Sequence, residues 1–344
     1  MEAVLDAYFD EVFPRVARDY LLARHRRKQL ADYFGHVVAG WCRAGVGDGE
    51  GGAGPVSPQL GAARAVRAAV RFHRRTKADN GGSVCRMGKF HNILYVAARM
   101  CVDWRVQDTE AVSELLAEIY ACERTLERLF AGAVFGPRAT HFIAGWKSDF
   151  GDGAEGLACT QYFLQHAAAA RMQFPDGCGG GRRAADVPMA EYRRSTALAA
   201  AMQVCKPDVA LLLLRHGARF AANLAEEDRP VRGGEMPPRP LVVIPQWGRD
   251  GGDAALCFRY ALRAAPLALP YPGVARAHPA WSDHVYITCE GGDAAALLAV
   301  PPTLKHLSRC AIRLALWRQH RLPDGVFQLP LPACLLKYLD LAED

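Results

Sequence analysis

Leu5, Phe9, Val12, Phe13, Val16 and Tyr20 recur every three or four residues, the spacing of one stripe on a helix. The pattern predicts helices over residues 1–44, with Pro14 as a kink or boundary because its ring cannot continue the backbone ladder. Arg24, Arg26, Arg27 and Lys28 form a short basic cluster, read as a solvated helix face rather than a nuclear address. Residues 45–61, GVGDGEGGAGPVSPQLG, hold too little apolar surface to offset the entropy of ordering and read as a flexible loop.

From about residue 88 helix-like segments pair up, each pair ending near a small residue. The clearest pair opens with Thr196-Ala197-Leu198-Ala199-Ala200-Ala201 and closes with Val209 to Ala218, VALLLLRHGA. Small alanines let the first helix lie close to its neighbours, the leucines bury the second, and Gly217 suits the left-handed turn that ends a helix. This unit resembles an ankyrin repeat, with its T-P-L-H-x-A opening and L-L-x-x-G-A close. Three looser copies are expected. Asn92-Ile93-Leu94-Tyr95-Val96-Ala97-Ala98 opens one that Leu126 to Ala133 closes. Thr140-His141-Phe142-Ile143-Ala144 opens the next, closed by Tyr162 to Ala167. Pro240-Leu241-Val242-Val243 pairs with Ala255 to Leu262. The openings are spaced well beyond the roughly 33 residues of an ankyrin repeat. The excess sits partly in the Gly/Arg-rich stretch 176–185, read as a loop. An irregular helical domain with alanine-rich packing remains the alternative.

Composition narrows the class. Of 344 residues, 51% are hydrophobic and 23% charged, an ordinary globular balance that can bury a sizeable core. The net charge of +6 permits an acidic partner without calling for nucleic acid. Charges interrupt every hydrophobic stretch, so no membrane span is expected, and MEAVLDAYFDEVF has no basic region ahead of an apolar core, so no signal peptide is expected. Eleven cysteines are scattered without CxxC or zinc-type Cys/His spacing. Cys205, Cys257 and Cys310 sit among aliphatic neighbours and read as small core residues, which fits a reducing compartment, cytosol or nucleus. Enzyme signatures are missing: no GxGxxG after a strand, P-loop, GxSxG or HExxH. The scattered histidines read as structural. The six tryptophans read as packing residues.

Residues 301–344 carry the most information. Pro301-Pro302 breaks the chain and Thr303 can cap the helix that follows. On that helix Leu304, Leu307, Ser308, Ala311 and Ala315 share a face with Ile312 at its edge, while Lys305, His306, Arg309 and Arg313 lie opposite. A narrow apolar stripe with a small central residue suits insertion into a partner's groove. Leu322-Pro323-Asp324-Gly325 signals a turn. Leu329-Pro330-Leu331-Pro332 follows, and Leu335, Leu336, Tyr338 and Leu339 recur at helical spacing.

Taken in order, Thr303, Leu304, Ser308 and Ile312 are similar to the BC box of SOCS-box proteins, with Ser308 where Cys is usual. The serine is expected to return its hydroxyl to a carbonyl one turn earlier and to weaken capture without abolishing it. The LPLP run resembles the Cullin-5 box. The chain is thus similar to the ankyrin-repeat and SOCS-box proteins. The resemblance implies an all-α fold: a degenerate ankyrin-repeat solenoid, an N-terminal helical segment and a C-terminal three-helix SOCS box. The expected domains are 1–87, 88–300 and 301–344, with the BC box at 303–316 and the Cullin box at 326–339. It implies Elongin C binding through Leu304, Leu307, Ser308, Ala311 and Ile312, and Cullin-5 binding through Leu329, Pro330, Leu331 and Pro332. Elongin B, a RING partner of Cullin-5 and an unknown protein substrate complete the expected partners. No metal, cofactor, nucleic acid or membrane is expected. The rival reading is a non-degradative ankyrin-type scaffold whose box is merely stabilised by Elongin B/C.

Overall fold

A computed structural model describes residues 2–13, 23–44, 57–82, 89–136, 150, 153–176, 180–190, 192, 195–220, 241–244, 252–266, 268–270, 285–289 and 301–344. Pro14, Val16, Tyr20, most of the Gly-rich stretch, 140–144 and Pro240 lie outside these residues, as do Trp146, Trp247 and Trp281. The chain divides into two compact units, residues 1–132 with 136–172 and residues 133–135 with 173–344. The boundaries expected at residues 87 and 300 each fall inside one of these units.

The first unit is helical: α1 (Glu2–Val12), α2 (Ala23–Ala44), α3 (Pro58–Asp79), α4 (Asn92–Asp103), α5 (Thr109–Glu123), most of α6 (Glu127–Phe135) and α7 (Ala154–Ala169). Helix α3 is its axis and touches α1, α2, α4 and α5. Ala62, Ala63, Ala65, Ala68 and Ala69 make this possible by keeping the buried face of α3 thin. At Gly61 a Cβ would stand 2.5 Å from Cys42 Sγ, so α2 and α3 meet where there is no side chain. Phe9, Phe13, Phe34 and Phe72 fill the α1–α2–α3 junction, mostly edge to face. Arg26 and Lys28 are exposed as expected, but Arg27 turns inward and donates to Asn92 Oδ1 at 2.7 Å. The basic cluster is therefore not a uniform solvated face.

One expected pairing does not form. Residues 92–98 and 126–133 do not form consecutive helices, because α5 lies between them. Its start is set by Asp108, whose carboxylate accepts the Ala111 N–H at 3.0 Å and pairs with Arg67 at 3.0 Å. Helix α4 is buried on nearly every side from Asn92 to Cys101, as expected of a central helix.

The second unit starts with a short antiparallel pair, β1 (Phe174–Pro175) and β2 (Gly181–Arg182). Helices α8 (Ala197–Gln203) and α9 (Pro207–Arg215) follow, the pair with the ankyrin-like sequence. Thr196 caps α8 through the Ala199 N–H, and Gly217 holds φ +80° just past α9. Val209, Ala210, Leu213 and Leu214 are buried, whereas Leu211 and Leu212 are half-buried, so the leucine run is not sunk on all sides.

The segment expected to open a fourth helical pair is instead β3 (Leu241–Ile244). It lies in a parallel sheet of order β3-β5-β4 with β4 (Ala268–Pro270) and β5 (Val285–Cys289). Leu-Val-Val-Ile is short and rich in β-branched side chains, which suits a pleated surface better than a helix turn. Its partner α10 (Asp253–Ala264) is helical as expected. The chain ends with α11 (Leu304–Arg318), a 3₁₀ turn (Asp324–Val326) and α12 (Ala333–Leu339). The middle helix expected in this region is thus a single turn, since Pro323 precedes it and Gly325, a poor helix former, sits within it. Among the described residues the fold is predominantly helical, with twelve α-helices and little strand. No helix among them is long and apolar enough to cross a membrane.

Candidate partner-binding face of the C-terminal helix

Helix α11 begins where the sequence places it. The Thr303 hydroxyl accepts the His306 N–H at 3.2 Å, and His320, at φ +58°, marks the turn beyond its end. What is unusual is which side it buries. Arg309 and Arg313 are only 4% and 8% exposed, while Leu304 is 83%, Leu314 45% and Leu307 41% exposed. Arg309 and Arg313 face the protein while Leu304, Leu307 and Leu314 face outward, although Lys305 is exposed and Leu316 is buried.

The buried side is hydrogen-bonded through Arg313, whereas Arg309 Nε and Nη1 have no hydrogen-bond partner among the described residues. Arg313 donates to Leu339 O at 2.8 Å and to Leu214 O, joining the carboxyl ends of α12 and α9. Burial pulls its pKa down to about 10, against the opposing attraction of Asp340, so it is still a cation at neutral pH. Asp340 pairs with Arg215 at 2.7 Å, and Arg215 Nε also donates to Asp340 O. Arg309 and Lys305 both stand over the Tyr338 ring, each 4.2 Å from its centroid. His306 Nε2 lies 2.8 Å from Ala265 O, and burial lowers its pKa. Arg263 grips the Asp344 carboxylate with two nitrogens and the Leu341 carbonyl with a third bond.

Trp317 completes the seat. Arg183 lies over its ring at 3.9 Å and Arg219 at 5.0 Å. A Cβ on Gly217 would meet Trp317 Cδ1 at 2.5 Å, so this position needs glycine for its backbone angle and for this close approach. The ankyrin-like pair is therefore the surface on which the C-terminal segment rests.

Of the expected Elongin C contacts, Leu304, Leu307, Ser308 and Ala311 stand exposed together. Ile312 does not join them. It packs with Trp317, Leu329 and Leu331 against a small core of Leu316, Leu322, Val326 and Leu339. Leu314, 45% exposed, extends the open face on the side of Leu307. Among the described residues the Ser308 hydroxyl makes no hydrogen bond, so the expected back-bond is not formed. The LPLP run alternates: Leu329 and Leu331 lean into the local core, while Pro330 and Pro332 are exposed. Phe327 and Leu335 are exposed nearby in sequence.

Residues 300–340 match the family model of the SOCS box. No curated protein and no solved structure matches the chain. The C-terminal segment is thus a SOCS box, a domain that implies an adaptor role joining Elongin B/C and a cullin in ubiquitination.

Proposed function

We propose that this chain is the substrate-recognition subunit of an Elongin B/C–Cullin-5–RING ubiquitin ligase. The SOCS box would engage Elongin C through Leu304, Leu307, Ser308 and Ala311, with Ile312 supporting the helix from its own core. Cullin-5 would be engaged beside the LPLP run. Ankyrin-like repeats would hold a protein substrate in the cytosol or nucleus. The catalytic step would belong to the recruited ubiquitin-conjugating enzyme, and this chain would supply effective concentration and orientation.

The observation that supports this reading is the inverted helix α11. An exposed leucine face on a helix held to the protein by the buried Arg309 and Arg313 has the pattern of an anchor for a groove. Leu304→Asp tests it. Because Leu304 is largely solvent-exposed, the variant keeps the wild-type melting temperature. Losing a central anchor costs about 2 kcal/mol or more, roughly thirtyfold in Kd. Elongin B/C should therefore drop out of a pull-down with the folded variant, and undiminished capture would sink the proposal. The scaffold reading is separated by the same pair of proteins. If wild type binds Elongin B/C and Cullin-5 but supports no ubiquitin transfer to any co-purifying protein, the box acts as a stabilised structural element.

A further inference from the structure

Three side chains from separate elements of the first unit meet at one point: His73 near the end of α3, His91 at the start of α4, and Cys122 in the last turn of α5. One ligand atom from each lies within 4.8 Å of the other two. We propose that His73, His91 and Cys122 form a zinc(II) site.

The distances suit that ion. His73 Nε2 stands 3.9 Å from Cys122 Sγ. Tetrahedral zinc, with bonds of roughly 2.0 Å to nitrogen and 2.3 Å to sulfur, holds such a pair roughly 3.5 Å apart, so a few tenths of an ångström of closure completes it. Two imidazoles and a thiolate form a borderline-soft donor set, which favours zinc over calcium or magnesium.

The surroundings match what zinc-bound histidines require. A ligating imidazole is held by a carboxylate on its other nitrogen, which fixes the tautomer and raises its basicity. His73 Nδ1 lies 2.9 Å from Glu118 Oε1, and Glu118 is held in turn by Arg74 at 2.8 Å. His91 Nε2 lies 2.6 Å from Glu123 Oε1, so coordination through Nδ1 would leave Glu123 to orient the ring. Glu123 itself accepts the Tyr95 hydroxyl at 2.7 Å. His73, His91, Glu118 and Glu123 are all buried, with Arg74 beside Glu118 and Arg128 3.7 Å from Glu123 balancing the two carboxylates. Cys122 differs in being half-exposed, which gives an ion a way in and leaves room for a fourth, non-protein ligand. Lys77 Nζ stands 3.4 Å from Cys122 Sγ, a positive charge beside the proposed sulfur ligand.

A histidine–glutamate network without metal would hold together by the same hydrogen bonds, so the test must read metal directly. The full chain is stripped with a chelator and titrated with zinc(II) alone, then with cobalt(II) as a spectroscopic probe. Wild type should bind one zinc per chain by elemental analysis and show a thiolate-to-cobalt charge-transfer absorption. Cys122→Ser, whose fold is checked by circular dichroism, should lose that absorption and most of the zinc. Cys334→Ser, altered at an exposed cysteine in α12, should retain both. If Cys122→Ser fails to fold, wild type still decides. Zinc should then shield Cys122 from alkylation by iodoacetamide, read by peptide mass spectrometry. No zinc uptake by wild type, undiminished zinc in folded Cys122→Ser, or equal alkylation with and without zinc would overturn the site.

Discussion

Arg313 is held out of water by two carbonyls at the ends of α9 and α12, where the helix dipoles concentrate partial negative charge. Arg313→Met keeps much of the volume and removes both bonds. Each abandoned buried carbonyl costs about 1–3 kcal/mol, so urea unfolding should show a loss of roughly 2–5 kcal/mol. A change inside about 0.5 kcal/mol, the level of ordinary surface substitutions, would contradict the role given to this side chain. Asp186 offers a second measurement. It is buried and accepts the Arg219 N–H at 2.8 Å, and burial raises its pKa to about 6 despite the pull of Arg219 and Arg183. A carboxyl with a folded pKa above its unfolded value binds its proton more tightly in the folded state. Its contribution is therefore fully present below the unfolded pKa near 4 and is lost as pH rises through about 6. Asp186→Asn lacks that term, so its melting temperature relative to wild type should be higher at pH 7.5 than at pH 4.5. A difference that does not change with pH would contradict the shift. The open leucine stripe was legible in the sequence because helical spacing alone aligns Leu304, Leu307, Ser308 and Ala311. Which side was buried was not legible. A row of arginines normally lies in water, and only the fold supplies the carbonyls that let Arg313 go inside. The His73–His91–Cys122 cluster was illegible for a related reason, since its members lie far apart in sequence and form no local motif.

Between α11 and α12 the LPLP run does two jobs that the sequence could not separate. Leu329 and Leu331 belong to the local core, so replacing them with alanine should unfold the box and lose Elongins and cullin together. Pro330 and Pro332 are exposed and pre-set the extended backbone, which lowers the ordering cost of docking. The double variant Pro330→Ala, Pro332→Ala should therefore keep Elongin B/C and reduce Cullin-5 in an immunoprecipitate. Cullin-5 retained at the wild-type level would contradict the assignment. Recovery of Cullin-2 with the wild type in place of Cullin-5 would do the same. Helices with a cap and a steady stripe, α8, α9 and α11, were readable from Thr196, Gly217 and Thr303. Segment 241–244 was not, because a four-residue apolar run has no period long enough to tell strand from buried helix. Helix α5 has a cap in Asp108, but its apolar residues crowd together as Leu115-Leu116 and Ile119-Tyr120 and leave no clean stripe to read.

At the level of the whole chain, the SOCS box is a structural part of the second unit. Arg313, Arg215 and Arg263 tie it to α9 and α10, and Trp317 fills the space that Gly217 leaves. Deleting residues 303–344 would strip the apolar core of Leu316, Leu322, Val326 and Leu339 and uncover the carboxyl end of α9. A deletion is therefore a poor control for ligase recruitment, because it removes the partner face and part of the fold at once. Limited proteolysis of the deletion variant should leave fragments from residues 1–172 protected, since the helices around α3 have their own core. Peptides from residues 195–220 and 252–266 should be cut much faster than in wild type. Leu304→Asp, altered on the open face, should give the wild-type cleavage pattern throughout. Wild-type protection of 195–220 in the deletion variant would mean that α8 and α9 stand without the box, and that the arginine contacts contribute little to holding the unit together.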